Sequence, residues 1–180
     1  FENYLIQPFL SFLIGFFLLL GISSVGFFFI KFFLKKNTSL NSSFYLNSPL
    51  IGSNILLAIL TPLAYFELLS LNLFRFISII IIFFLIYFFF SNPNFFSQKK
   101  INKKDYPLYI LIILFFLLSI APVTHADSVA YHMLGAVNFL IDGNLLKDLL
   151  PSEIKLAGPG ELLIALGLSF GSEQLGGLVQ

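Results

Sequence analysis

Long continuous runs of apolar residues constrain this chain more than any other feature of its sequence. Three runs, at about 9–33, 50–69 and 73–90, are each long enough for a helix across the hydrocarbon core of a bilayer, which takes about 20 residues. Charged residues make up 11% of the 180 residues, against about 25% in soluble domains. Polar groups could therefore not cover a water-exposed surface. The sequence predicts an all-α, polytopic transmembrane helical bundle.

Two further apolar segments extend this prediction toward the C-terminus. A fourth transmembrane helix is predicted at 107–120, and the segment 159–180 is predicted to begin a fifth. The chain starts without Met and stops at Gln180 inside an apolar segment. We therefore expect a truncated, N-terminal fragment of a longer protein, with four spans in residues 1–120.

Residues within the first three spans indicate how these helices pack and turn. Gly15, Gly21 and Gly26 interrupt the first span, which favours close contact between helices at these positions. The second and third spans are separated by a few residues and should form a helical hairpin. Glu67 and Arg75 lie near its tip, where they either form an interfacial pair or are hydrated.

Two clusters of lysine residues set the expected orientation of the bundle. Cytoplasmic loops of membrane proteins carry an excess of Lys and Arg, and both clusters are cytoplasmic only if the N-terminus is outside. The segment 121–158 then forms an external loop of an integral membrane protein, most simply in the bacterial inner membrane. The two clusters are Lys31, Lys35 and Lys36, and Lys99, Lys100, Lys103 and Lys104.

The external loop contains a polar island with both histidines of the chain. Asp127 stands where a helix should begin, and Gly143 with Asn144 should end that helix. The sequence predicts an amphipathic helix at 127–142 that lies along the membrane interface with its apolar face toward lipid. Its apolar residues recur at helical spacing: Val129, Met133, Ala136, Val137 and Leu140.

The residues of this island allow several interpretations. Asp127 is either a helix N-cap or a carboxylate that takes part in chemistry, and the two roles do not exclude each other. His125, Asp127 and His132 are residue types that bind metals, but their spacing does not bring them to one helix face. Tyr131, one turn after Asp127, could be an interfacial anchor.

The order Asp127, Tyr131, then Phe139 and Leu140 before Gly143, resembles the first external loop of GT-C glycosyltransferases. The similarity is to the branch that contains protein O-mannosyltransferases and aminoarabinose transferases. That family continues with a Lys-Pro element and a membrane helix ending in Phe-Gly. Here the corresponding order is Lys155, Pro159, then Glu161 to Phe170 and Gly171.

The resemblance implies transfer of a sugar from a polyprenyl-phosphate donor to an acceptor on the extracytoplasmic face. It implies Asp127 as the catalytic general base and Tyr131, His132 and Lys155 as substrate-binding residues. Lys155 could instead be an interfacial residue whose ammonium group reaches the water. No residue is assigned as a metal ligand, and a bound divalent metal stays an open alternative.

Two other classes of function are compatible with a membrane bundle of this kind. One is a transporter or a flippase for a lipid carrier, for which charged residues inside the helices are typical. The other is a non-catalytic assembly protein, in which the island is an interfacial plug. The expected partners are the lipid bilayer, the donor and an unspecified acceptor, and no nucleic acid.

Overall fold

The structure, a computed structural model, describes residues 3–34, 42–92, 106–119, 132–143 and 160–179. Within these ranges the chain is almost entirely helical, and no strand occurs. The helices are α1 (Asn3–Leu34), α2 (Ser42–Tyr65), α3 (Leu71–Ser91), α4 (Tyr106–Ser119), α5 (Leu134–Asp142), α6 (Gly160–Leu168) and α7 (Gln174–Val179). The predicted all-α helical bundle is confirmed.

The three long helices form an up-down-up bundle. Near the end of α1, Gly26 approaches the backbone of Ser48 at the start of α2, so these two helices are antiparallel. Phe27 of α1 meets Phe88 of α3 edge to face, with 5.0 Å between ring centroids. Because the last turns of α1 and α3 lie side by side, these two helices run in the same direction.

Glycine residues set how closely α1 approaches α2. A Cβ atom added at Gly26 would overlap the carbonyl oxygen of Ser48, and one added at Gly52 would overlap that of Ile22. Lipid surrounds membrane helices with a medium as apolar as their own side chains, so close van der Waals packing through small residues holds them together. Gly15 and Gly21 approach α7 and α3 in the same way. The interpretation of the α1 glycines as packing residues is confirmed.

Large apolar side chains cover the outside of the bundle. Phe76 and Phe90 of α3, for example, are 59% and 82% exposed. Apolar surface of this extent is a liability in water and is normal against lipid. The ranges Gln7–Phe33, Asn47–Tyr65 and Leu71–Ser91 are long and apolar enough to cross a membrane. The chain is therefore an integral membrane protein.

The remaining helices are shorter. α4 has 14 residues, so the fourth span at 107–120 stays a prediction. In 159–180, where the sequence suggests one continuous helix, the structure has α6 and α7 with a turn between them. Gly171 takes a φ of 81° in this turn, a left-handed conformation that suits glycine and reverses the chain.

Helix α6 packs against both α5 and α7 at the end of the bundle where α2 passes into α3. Ala136 and Phe139 of α5 share a buried core with Leu162 of α6 and Phe74 of α3. The apolar side of α5 therefore faces protein, and the prediction that it faces lipid is wrong. That α5 lies along the membrane interface stays a prediction. Three residues of its predicted apolar stripe pack against this core: Met133, Ala136 and Leu140.

The two ends of the bundle carry different parts of the chain. At one end α1 finishes at Leu34 and α3 at Ser91, so the chain leaves the bundle from the same end toward both lysine-containing segments. At the opposite end lie the α2–α3 turn and the helices α5 to α7. Of the clustered lysines, Lys31 belongs to the described residues and lies in the last turn of α1.

We expect Gly52→Ala to destabilise the bundle. The added methyl group would overlap the backbone of Ile22, which cannot rotate away as a side chain could, and overpacking of this kind costs about 1–3 kcal/mol. Thermal unfolding in detergent should show a lower midpoint for this variant. Gly160→Ala is the matched control, because a Cβ there meets nothing within 4 Å. Equal midpoints for the two variants would contradict the close α1–α2 contact.

Candidate functional site

One of the four predicted site residues belongs to the described part of the chain. Asp127, Tyr131 and Lys155 lie outside the described residues, and their roles stay predictions. His132 is described and lies two residues before Leu134, the first residue of α5.

The imidazole of His132 contacts the carboxylate of Glu161. Nδ1 of the ring lies 2.7 Å from Oε1, which is within hydrogen-bond range. The Glu161 side chain is 5% exposed and the His132 side chain 45% exposed. An ionised carboxylate withdrawn this far from water needs a hydrogen-bonded partner. His132 supplies that partner while much of its own surface stays accessible.

Glu161 lies in the first turn of α6, a helix that is otherwise apolar. The residues that follow it, 162–167, are all buried. Its position suits a negative charge, because free backbone N–H groups at a helix N-terminus attract anions. Within the described residues, Oε2 of Glu161 and Nδ2 of Asn138 are buried without a hydrogen-bond partner. Buried polar atoms of this kind are rare and call for an explanation, functional or structural.

The end of α5 is held against the α2–α3 turn by Gly143. This residue takes a φ of 68°, and its N–H donates to the carbonyl oxygen of Phe139 at 3.2 Å. A Cβ atom at this position would overlap the carbonyl oxygen of Leu69. The prediction that Gly143 ends the helix is confirmed, and this contact positions α5 with His132 just before its start.

Hydrogen bonds hold the turn between α6 and α7 against α1 and α3. Ser172 Oγ donates to the carbonyl oxygen of Ser11 at 2.7 Å, and the N–H of Glu173 donates to Ser11 Oγ at 3.1 Å. Arg75 Nε donates to the carbonyl oxygen of Ser169 at 3.2 Å. Backbone groups in a turn lack helical partners and must find others when water is scarce. These bonds attach the C-terminal end of α6 to the long helices.

An apolar groove of about 470 Å³ lies between α1 and α3, next to this turn. It runs along the parts of both helices that are long and apolar enough to span a membrane. An apolar lining inside such a range suits a hydrocarbon chain and not a polar ligand. Residues lining the groove include Ile14, Phe17, Leu18, Ile82, Leu85 and Phe170.

A family model described as the DUF1420 N-terminal domain matches residues 80–180, more than half of the chain. The chain belongs to this family. No curated protein and no solved structure matches it.

The match to the DUF1420 N-terminal domain covers the second half of α3 and all of α4 to α7. Both partners of the pair, His132 and Glu161, fall inside this range, as do Asp127, Tyr131 and Lys155. Helices α1 and α2 precede it. The candidate site therefore belongs to the part of the chain that defines the DUF1420 N-terminal domain.

The described part of this DUF1420 chain contains no preformed metal site. No group of three or more His, Asp and Glu side chains comes together there. His132 and Glu161 provide two donors, whereas a catalytic zinc takes three protein ligands. The arrangement that the sequence suggested also used His125 and Asp127, which lie outside the described residues.

Two residues, one inside the DUF1420 match and one before it, have roles that sequence reasoning missed. In the sequence, Glu161 stands out as one position of the family order and not as the partner of His132. The available signal was a single carboxylate directly before a long apolar run. Arg75 was interpreted as hydrated or paired at the membrane interface, and it bonds the α6–α7 turn. Arg75 and Ser169 are far apart in the chain, and no periodic pattern in the sequence predicts a contact between them.

We expect Gly143→Ala to loosen α5 from the bundle. The substitution forces a left-handed conformation on alanine, at about 1–2 kcal/mol, and also overlaps the Leu69 carbonyl. Gly171→Ala is the matched control, because its φ is 81° but a Cβ there meets nothing within 4 Å. Thermal unfolding should show a larger loss for Gly143→Ala. A loss no larger than that of Gly171→Ala would contradict the packing of α5 on the α2–α3 turn.

Proposed function

We propose that this protein is a membrane glycosyltransferase of the GT-C type. It transfers a sugar from a polyprenyl-phosphate donor to an acceptor hydroxyl at the extracytoplasmic face of the bacterial inner membrane, with the N-terminus outside. The observation that carries the proposal is the contact between His132 and the buried Glu161. This contact joins the polar island to the membrane bundle at the end opposite the lysine-bearing segments.

The chemistry suits the residues of the island. The acceptor oxygen attacks the anomeric carbon of the sugar, and its proton passes to the carboxylate of Asp127. The bond between the anomeric carbon and the phosphate oxygen breaks, and its electron pair leaves with the polyprenyl phosphate. Lys155 offers a cation to the charge that develops on this phosphate. No redox step or further reactant is needed.

The apolar groove between α1 and α3 supports a lipid-linked donor. It lies beside the α6–α7 turn, and Phe170 of that turn lines it. A prenyl chain in the groove would bring its phosphate toward the bundle end that holds the candidate site. A water-soluble sugar nucleotide would gain nothing from an apolar groove inside the membrane.

A transporter or a lipid-carrier flippase is the second candidate. Glu161 favours it, since a buried carboxylate on a membrane bundle marks ion or substrate pathways in transporters. The interrupted helices α6 and α7 favour it too, because transporters build their binding sites from broken helices. The enzyme is preferred because the island concentrates polar residues outside the membrane spans.

We expect Asp127→Asn to reduce transfer by about 10²–10⁴-fold, the loss typical of removing a general base. Asparagine keeps the size of the side chain and much of its ability to cap a helix, so folding should be unaffected. The full-length protein in liposomes is given polyprenyl-phosphate mannose as the probe donor, and release of polyprenyl phosphate is followed.

Asp148→Asn is the matched control, because Asp148 is a second aspartate of the same island and has no proposed role. It should keep near-normal turnover. A folded Asp127→Asn protein that also keeps normal turnover would remove the proposed mechanism. Movement of the lipid across the bilayer without turnover would favour the second candidate.

A further inference from the structure

The contact between Glu161 and His132 also bears on which nitrogen of the imidazole ring carries a proton. A carboxylate is an acceptor when ionised, so the ring nitrogen that faces it must carry a proton. The nitrogen that faces Oε1 is Nδ1. In a neutral imidazole one nitrogen carries the proton and the other is an acceptor. An ionised Glu161 therefore selects the neutral tautomer that is protonated at Nδ1.

We propose that Glu161 is a positioning residue that holds His132 in this tautomer, leaving Nε2 to accept a hydrogen bond from a substrate hydroxyl. The inference rests on the proposed function for the identity of the ligand, a sugar or acceptor hydroxyl. The tautomer follows from the contact with an ionised Glu161 and a neutral ring, and it does not depend on that function.

The burial of the two side chains suits this division of roles. Glu161 is 5% exposed and contacts the ring, so it has little access to a ligand. His132 is 45% exposed, and in the described part of the chain its Nε2 has no hydrogen-bond partner. A buried carboxylate that orients an imidazole through Nδ1, with Nε2 directed to the reacting group, is a recurring arrangement in hydrolases.

The location of Glu161 suits a negatively charged carboxylate, although the rest of α6 is apolar. It lies in the first turn of α6, where unpaired backbone N–H groups stabilise a negative charge. The opposite end of α6 is hydrogen-bonded to Ser11 and Arg75, and these bonds help to place the helix that carries the carboxylate.

The tautomer can be measured without any substrate. The chain has two histidines, so ¹⁵N-histidine labelling of the full-length protein gives two rings, and His125→Gln assigns the remaining signals to His132. Nitrogen chemical shifts separate protonated from unprotonated ring nitrogens. In alkaline buffer, where imidazole is neutral, we expect His132 to be protonated at Nδ1 and unprotonated at Nε2. Protonation at Nε2 in the unmodified chain would overturn the proposal.

Glu161→Gln tests the cause of that tautomer. Glutamine has nearly the same shape, but its amide both donates and accepts, so the preference for Nδ1 protonation should weaken. Glu173→Gln is the control and should leave the His132 signals unchanged. An unchanged tautomer in a folded Glu161→Gln protein would also overturn the proposal. If Glu161→Gln does not fold, Glu161→Asp replaces it as the test. Because aspartate keeps the charge, we expect this variant to fold and to retain Nδ1 protonation of His132. A His132 ring protonated at Nε2 in the Glu161→Asp protein would also overturn the proposal.

Transfer activity provides a separate readout. With polyprenyl-phosphate mannose as the probe, Glu161→Gln should lower turnover or raise KM roughly tenfold, as loss of one positioned hydrogen bond does. An unmodified protein that shows Nδ1 protonation but no transfer would contradict the glycosyltransferase proposal and leave the positioning role intact. Normal transfer by Glu161→Gln with an altered tautomer would contradict the catalytic use of His132.

Discussion

Close backbone contact between α1 and its neighbours is the constraint on which the rest of the structure depends. Apolar side chains on membrane helices gain little from meeting one another instead of lipid, so the helices must approach closely to pack. Gly26 and Gly52 allow this between α1 and α2, and Gly15 allows α7 to sit against α1. Helix α7 can approach α1 closely because Gly15 has no side chain that would keep the two apart.

The polar island joins that bundle end through two kinds of contact. Phe139 and Ala136 bury apolar surface against α6, and Glu161 meets His132 across the same helix pair. Burial supplies most of the stabilisation. The carboxylate contributes specificity, because a buried charge without its partner is costly. The result is a polar site attached to a membrane bundle, as transfer from a lipid-linked donor to a polar acceptor would require.

The sequence predicted the helical bundle, the three long spans and the glycine contacts, because hydrophobic run length and small residues are local signals. Gly143 as the end of α5 was also readable, since few residues adopt a left-handed conformation. The bonds of Arg75 to Ser169 and of His132 to Glu161 were not, because they join residues far apart in the chain. The apolar composition of 159–180 suggested one span, whereas the family order places a helix end at Phe170 and Gly171, where the structure has the turn.

Crosslinking between positions 132 and 161 tests the central claim, that the polar island packs on the membrane bundle with these two residues in contact. The chain has no cysteine, so His132→Cys with Glu161→Cys gives two unique thiols. A short bifunctional thiol reagent is applied in membranes, and the chain is then cut at a protease site inserted after Leu150. The account predicts that the fragments stay linked, as they should for Ser11→Cys with Gln174→Cys, a contacting pair on α1 and α7. Separation of the fragments in the first pair, while the second stays linked, would contradict it.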